Sequence, residues 1–449
     1  MGTRLSVDLN DVSTNPHTIG LEQLPTVLDV QWVREALEKK GKMSIRRRNL
    51  PNELVVWLVI GMALYRHRAI DAAAKHLGLV LGGRRGATGS AVSSSAISQA
   101  RQRVGSGPLK ALFEMLSAHW AEQVREVSLW KDLKLAAIDG STLKLPDTAK
   151  NEERYGRPGS GRGKGAYPQA RIVGVLALGS RIMLDFVLGG LDLSEQTLSR
   201  RIFEKLQDHT LMILDRGFIN YGAFVRIVRD GVERHWLSRA KSNMRGDLIE
   251  VLGAGDSLME LTTSAQSRVQ DPTLPNTLVV RVLEYQIPGF RPQRLITSLL
   301  DPEKYPAKEI IKLYHERWEI ELSYAEIKTD TLERRESLRS KTPDGVEQEI
   351  WGLMIAYNLV RVMMDEAAQR AGVPAYRMSF HNSLLAVRDF LICAWFVSPG
   401  SLPKLLRRLE QDLELLVLPD RRHERHFPRV VKIKMSKFKK KPVIDREFP

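Results

Sequence analysis

A chain of 449 residues with 43% hydrophobic side chains can hold several structural units, at a soft prior of roughly 150 residues each, and can bury real cores. Its 68 Lys and Arg against 53 Asp and Glu leave a formal charge of +15, which favours a polyanionic partner, nucleic acid first. The single cysteine, Cys393, excludes an intramolecular disulfide and a thiolate metal cluster, and the longest apolar run, Leu54 to Tyr65, is too short to span a bilayer. No signal peptide opens the sequence, so a cytoplasmic, nucleoid-associated protein without membrane partners is expected.

Residues 1–20 read as a loose polar arm. From 21 to 128 the patterning is helical, most clearly after Pro51 (NELVVWLVIGMALYRH), with further helices across Ile70–Leu81 and Pro108–Val124. Between these lie a basic loop, GGRRGATGS, and the segment SSSAISQARQRVG. The latter predicts a short helix with Ser94 or Ser95 as cap and Gly105 as stop. Ser98 and Arg101 would share a face there, as on a DNA-reading helix, which makes Arg101 and the nearby Arg103 candidate DNA contacts. An ordinary capped surface helix is the plainer reading of the same residues.

The pattern changes at Leu133. KLAAIDGSTLKL predicts a strand that ends in a turn, with Asp139 at the junction, and NEERYGRPGSGRGKG predicts a mobile basic loop. RIVGVLALGSRIMLDFVL gives two apolar strands around Gly179-Ser180. Then come a helix from Glu195, the buried strand LMILD ending on Asp215, a helix over Tyr221–Arg229 and a strand over His235–Arg239. The order strand, hairpin, helix, strand, helix, strand, long helix is that of a mixed α/β, ribonuclease-H-like sheet. We assign 129–240 and 301–340 to this core, 241–300 to a β-strand insertion (SLMELTT, TLVVRVLEYQI, RLITSLL) and 341–420 to a helical C-terminal region. Residues 421–449 form a basic tail, with ten Lys and Arg between Arg421 and Lys441 against the single acid Glu424.

The segment KEIIKLYHERWEIELSYAEIKTD, Lys308 to Asp330, holds no Pro or Gly and predicts one amphipathic helix. Tyr314, Arg317, Glu321 and Lys328 fall within one sector about 60° wide, while Leu313, Ile320, Leu322 and Ile327 supply apolar flanks for docking on a sheet. A carboxylate with cations a turn away on either side suits a site that holds metal and grips phosphate. The same stripe also suits a solvated charged face, and Asp139 and Asp215 taken singly suit turns. As a set they suggest more. In a ribonuclease-H-like sheet, Asp139 and Asp215 end adjacent strands and Glu321 arrives on the packed helix. Three converging carboxylates call for divalent cations to neutralise them.

The chain resembles the insertion-sequence-four family of bacterial DDE transposases. Tyr314, Arg317, Glu321 and Lys328 match that family's Tyr–Arg–Glu–Lys signature without a gap. The aspartate motifs match at IDGSTLKLPDT (Asp139) and LMILDRGFIN (Asp215), and family context extends through LSRAK and LRSKTPDGVEQEIWGLMIAYNLVR. The resemblance implies that Asp139, Asp215 and Glu321 form a catalytic triad holding two Mg²⁺ ions, with Mn²⁺ able to substitute. It implies that Tyr314, Arg317 and Lys328 hold the transposon end, and that a homodimer on double-stranded DNA cleaves inverted-repeat ends and transfers the strands. The alternatives are a metal-dependent nuclease on the same core and a non-catalytic end-binding repressor. Relatives that pass through a DNA hairpin stack a base on a tryptophan in the insertion. No Trp lies between Leu237 and Arg317, where Tyr285 or Phe290 could substitute.

Overall fold

The computed structural model describes residues 29–44, 50–70, 72–73, 93–125, 129–160, 163–241, 244–263, 265–287, 291–333, 337–394, 397 and 399–419. The expectations for the N-terminal arm, the GGRRGATGS loop, Phe290 and the basic tail fall outside these residues.

Four helices precede the sheet: α1 (Val30–Lys39), α2 (Asn52–Leu64), α3 (Ser94–Val104) and α4 (Gly107–Arg125). All thirteen residues of α2 are buried, so this helix has no polar face to show and sits inside the protein rather than on it. The cap of α3 is Ser93, one residue ahead of the expected serines, and its Oγ accepts from the Ala96 amide at 3.2 Å. Gly105 ends that helix with φ +72°, as expected of a glycine stop.

The sheet begins with β1 (Leu133–Lys144), then α5 (Ala149–Tyr155), β2 (Gln169–Ala177) and β3 (Met183–Gly189). After α6 (Glu195–Phe203) come β4 (Thr210–Leu214), α7 (Tyr221–Arg229) and β5 (Arg234–Arg239). Helix α5 replaces the first part of the expected basic loop. Thr148 caps it by accepting from the Asn151 amide, and Asn151 is itself wholly buried. Strands β1, β2 and β3 pair antiparallel, while β1, β4 and β5 pair parallel, giving the order β3-β2-β1-β4-β5. This is the ribonuclease-H-like sheet that the order of elements anticipated.

The sheet then continues. Strands β6 (Asp247–Gly253), β7 (Asp256–Thr262), β8 (Thr277–Tyr285) and β9 (Gln293–Thr297) extend it in the order β5-β9-β8-β7-β6, with α8 (Ala265–Gln270) after β7. Strand β6 was not anticipated. Its residues are exposed almost throughout, so it lacks the apolar alternation that marks a strand in sequence.

Alternate residues of the central strands feed two cores, as the two-residue period requires. Ala136, Ile138, Met212 and Leu214 face α6 and α7; Ala137, Leu211 and Ile213 face the opposite layer. That second layer holds the N-terminal helices, the segments α9 (Ala307–Glu316) and α10 (Trp318–Glu326), and the C-terminal helices α11 (Pro343–Arg370), α12 (Phe380–Ala394) and α13 (Leu402–Glu414). Helices α2 and α11 are its spine. They meet at Gly352, where an added Cβ would lie 2.7 Å from Val59 Cγ1 and 3.0 Å from its carbonyl oxygen. Backbone cannot yield there as a flexible side chain could. Gly352→Val should therefore destabilise the protein by about 1–3 kcal/mol, the usual range for overpacking, read as a lowered urea midpoint.

Candidate active site

The two aspartates are brought together by strand register. Ile138 pairs with Leu214 as the last matched position of the parallel β1–β4 ladder, so the residues that follow, Asp139 and Asp215, leave the ladder side by side. Asp139 does not end its strand. Strand β1 runs on to Lys144 against β2, with Asp139 opposite Gly174, so Asp-Gly here is no turn. Asp215 does sit at a strand end, where it opens the single turn Arg216–Phe218.

The Lys308–Asp330 segment follows one helical path with two irregularities. At Arg317 the path tightens: the Arg317 amide reaches Tyr314 O at 3.3 Å and the Ile320 amide reaches Arg317 O at 3.2 Å, both three residues apart. After Glu326 it widens into a π-helical turn, Ile327–Thr331, which carries Lys328. Leu313, Ile320 and Ile327 dock as expected, whereas Leu322 stays exposed. The hydroxyl of Tyr324 donates to the Asp139 carbonyl oxygen at 3.0 Å and fixes α10 on β1 at the aspartate itself. Gly174 makes room for it, since a Cβ there would stand 2.9 Å from that hydroxyl. Tyr324 was not singled out from the sequence, because a buried aromatic at helical spacing looks like any core residue.

Electrostatics show which side chains share this space. Burial pushes the Asp139 carboxyl up to about 6; the Gly140 amide and Arg317 oppose that shift, while Glu321 and Glu195 add to it. Burial raises the Tyr314 phenol to about 12, with Arg317, Asp215 and Arg239 nearby. Burial works against the charge on Arg317, but Tyr314, Asp215 and Glu321 around it hold its pKa above the ordinary value. Lys328 is lowered by burial, with Asp139 opposing. Arg317 also donates to Glu321 Oε1 at 2.9 Å and lies over the Trp318 ring. The structure thus brings Asp139, Asp215, Tyr314, Arg317, Glu321 and Lys328 into one neighbourhood, and it adds Glu195.

Arg101 and Arg103 lie elsewhere. Arg101 donates to Gln348 Oε1 at 2.7 Å, Ser340 Oγ at 3.0 Å and Gly345 O at 3.1 Å; Arg103 donates to Asn52 Oδ1 at 3.2 Å and Leu50 O at 2.9 Å. Both guanidiniums are spent inside the protein, tying α3 to the start of α11 and to α2. They are structural arginines, and the expectation that they contact DNA is withdrawn.

The carboxylates are not gathered around a point. Among the described residues, no three His, Cys, Asp or Glu side chains are placed to hold an ion together. Each acid is turned to a protein donor instead: Asp139 Oδ1 takes the Gly140 amide at 2.8 Å, Asp215 Oδ1 the Arg216 amide at 2.8 Å, and Glu321 the Arg317 guanidinium. The donor set itself, carboxylate oxygens only, is that of a hard divalent cation.

Family models match the chain as Insertion element 4 transposase N-terminal over residues 18–114 and Transposase DDE domain over residues 130–359. The transposase InsG for insertion sequence element IS4 of Escherichia coli (strain K12) is 36% identical, the match covering 94% of each chain. The chain belongs to the IS4 family of DDE transposases. A putative transposase of the same strain, InsZ, is 30% identical over 54% of this chain and 80% of its own. A solved piggyBac transposase synaptic complex with hairpin DNA superposes with a TM-score of 0.40 at 10% identity, covering 87% of this chain and 82% of that one, too loosely to carry an argument. The protein is thus an insertion-sequence transposase, an enzyme that cleaves DNA and transfers strands, and the family implies divalent-metal dependence. Among the described residues of this transposase, no helix is long and apolar enough to cross a membrane.

The helix that carries Glu321 is clamped by a buried ionic network. Arg181, at the β2–β3 turn, donates to Glu319 and, at 2.8 Å, to Glu326; Arg361 of α11 also donates to Glu326, and the Tyr357 hydroxyl lies 3.2 Å from it. Arg361 is wholly buried. Removing the shared carboxylate would strand the wholly buried Arg361 and leave Arg181 with Glu319 alone, so Glu326→Ala should cost about 3–5 kcal/mol in the denaturant midpoint, with or without metal.

The raised Asp139 carboxyl also sets a pH dependence. Its folded-state pKa of about 6 lies above its unfolded value near 3.8. Its contribution to stability is therefore fully present below the unfolded pKa and is lost as pH rises through the folded one. Asp139→Asn should stabilise the metal-free protein by on the order of 1–3 kcal/mol at pH 8 and change little at pH 3.5. Melting at the two pH values in EDTA measures the difference; an equal shift at both would show that burial is not straining the charge.

Proposed function

We propose that this transposase binds the inverted-repeat ends of its own element, hydrolyses phosphodiester bonds there and joins the 3′ ends to target DNA. The observation that carries the site assignment is the β1–β4 register, which sets Asp139 beside Asp215 under a helix that brings Arg317 and Glu321. On this reading Asp139, Asp215 and Glu321 hold two Mg²⁺ ions, with Mn²⁺ accepted. When bound, the ions lower the pKa of an attacking water or 3′-hydroxyl and stabilise the leaving oxygen. Arg317 holds one phosphate with its planar fork, Lys328 meets another as a point charge, and Tyr314 supports Arg317 from behind. Joining two ends needs two active sites, which makes a homodimer on DNA the working assembly. Residues 129–240 and 301–340 serve as the catalytic core, 241–300 as its insertion, and the basic tail as a sequence-independent phosphate contact that favours association with the nucleoid.

The test separates chemistry from binding. Asp139→Asn, Asp215→Asn and Glu321→Gln should each abolish end cleavage and strand transfer with Mg²⁺, while binding a labelled end in EDTA at least as tightly as the unaltered protein. Arg317→Ala should slow cleavage by about 10²–10³-fold with the metal site intact, and Arg317→Lys should recover part of that. Near-normal cleavage by any of the three acid variants would end the proposed mechanism.

A further inference from the structure

The parallel ladder that sets the two aspartates side by side carries a third residue in the same row. Leu214 of β4 is matched by Ser238 of β5 as it is by Ile138 of β1. The residues that follow, Asp139, Asp215 and Arg239, therefore cross three neighbouring strands in line, each about 4.8 Å from the next. Trp236 and Ala240 face the core under α6 and α7, and Leu237 faces the opposite layer. By the two-residue period Arg239 turns with Leu237, toward the layer that holds α9. This is the carboxyl edge of the parallel strands, where open α/β sheets take their ligands. Arg239 also stands at the seam with the insertion. It lies opposite Leu295 of β9, and it opposes the rise that burial imposes on the phenols of Tyr285 in β8 and Tyr314 in α9.

Arg101, Arg103, Arg181 and Arg361 are spent on protein groups. Arg239 is not. It is half-buried, and among the described residues its guanidinium has neither an ion pair nor a hydrogen bond. Such a cation gives up hydration with no counter-charge in return. An arginine that only kept its head in water could stand at any exposed position, without a place in this row.

We infer that Arg239 holds a backbone phosphate of the DNA end on the insertion side of the scissile bond, while Arg317 holds another on the side of the helix. The inference rests on the active site proposed above. Asp139 and Asp215 then face the scissile phosphate, and the cation next in the row meets its neighbour with the fork that suits a phosphate's paired oxygens.

The experiment follows Mg²⁺-dependent cleavage of one labelled end by the full-length protein, with a single uncharged methylphosphonate placed at each position around the scissile bond in turn. Arg239→Ala should slow cleavage of the unmodified end by about 10–100-fold. At one position, the methylphosphonate that slows the unaltered protein should slow Arg239→Ala no further, while the other positions keep their effect. Arg239→Lys should recover part of the rate, and Arg317→Ala should lose its sensitivity at a different position. A normal rate for Arg239→Ala overturns the inference. So does a slow Arg239→Ala that stays sensitive at every position, since a merely structural arginine has no phosphate of its own. Should Arg239→Ala melt early, Arg239→Gln goes through the same series and the same two results decide. Near-normal cleavage by Asp139→Asn would overturn the site on which the inference rests.

Discussion

The helix that carries Glu321 hangs on a second glutamate one turn further along. Glu326 is shared by Arg181 from the edge hairpin and Arg361 from the longest helix, and through them one turn of α10 is held against both the sheet and the helical layer. Glu319, seven residues earlier and so on the same face, gives Arg181 its second partner. The arrangement also explains a backbone oddity. Arg181 is a non-glycine residue at φ +62°, a conformation that costs roughly 1–2 kcal/mol, and it is buried. Two carboxylates anchored to one guanidinium are what hold it there. A buried pair of this kind contributes little net stability over an apolar substitute, but it specifies a single seating of the helix. On the proposed mechanism Glu321 is held over Asp139 and Asp215, and for that a single seating matters more than a deeper energy minimum.

Seating is completed by small residues at close approaches. Gly174 admits the Tyr324 hydroxyl, Gly140 admits Glu195, and Gly352 lets α11 lie on α2. None of the three has a positive φ, so none is there for a turn. At Gly174 and Gly352 a neighbour comes too near for a Cβ, whereas at Gly140 the flexible end of Glu195 would have to move. Much of the precision at the site is therefore encoded by what is absent from the side chains beside it.

The sequence made the sheet legible because its strands alternate cleanly and its turns carry Gly179-Ser180 and Asp215-Arg216-Gly217. The order of the elements and the family signature put Asp139, Asp215 and Glu321 together as a set, and the structure brings the three into one neighbourhood. What was misread has physical causes. Asp-Gly at 139–140 looks like a turn because local chemistry cannot reveal a cross-strand partner such as Gly174. Arg101 looks like a DNA contact because an arginine on a short capped helix is usually solvated, and Gln348, its partner, lies 247 residues away. Strand β6 shows no alternation because neither of its faces is buried. Glu195 and Tyr324 gave no signal, since each matters only through a distant backbone that it touches.

The same helix carries two ion pairs with opposite tasks, and their exposure tells them apart. The carboxylate of Glu326 is 14% exposed and its Arg361 partner wholly buried, whereas Glu321 is 36% exposed against Arg317. Breaking the first leaves charges stranded away from water. Opening the second lets water reach the Glu321 carboxylate, although Arg317 itself is only 10% exposed, so this pair yields more easily than the first. On the proposed mechanism Glu321 must turn to a metal ion and Arg317 to a phosphate, so their bond to one another has to be cheap to exchange. A contact strong enough to order the resting site yet weak enough to yield to both ligands satisfies that requirement. Placing the strong clamp at Glu326, just over one turn further along, lets the helix stay in place while Glu321 and Arg317 change partners.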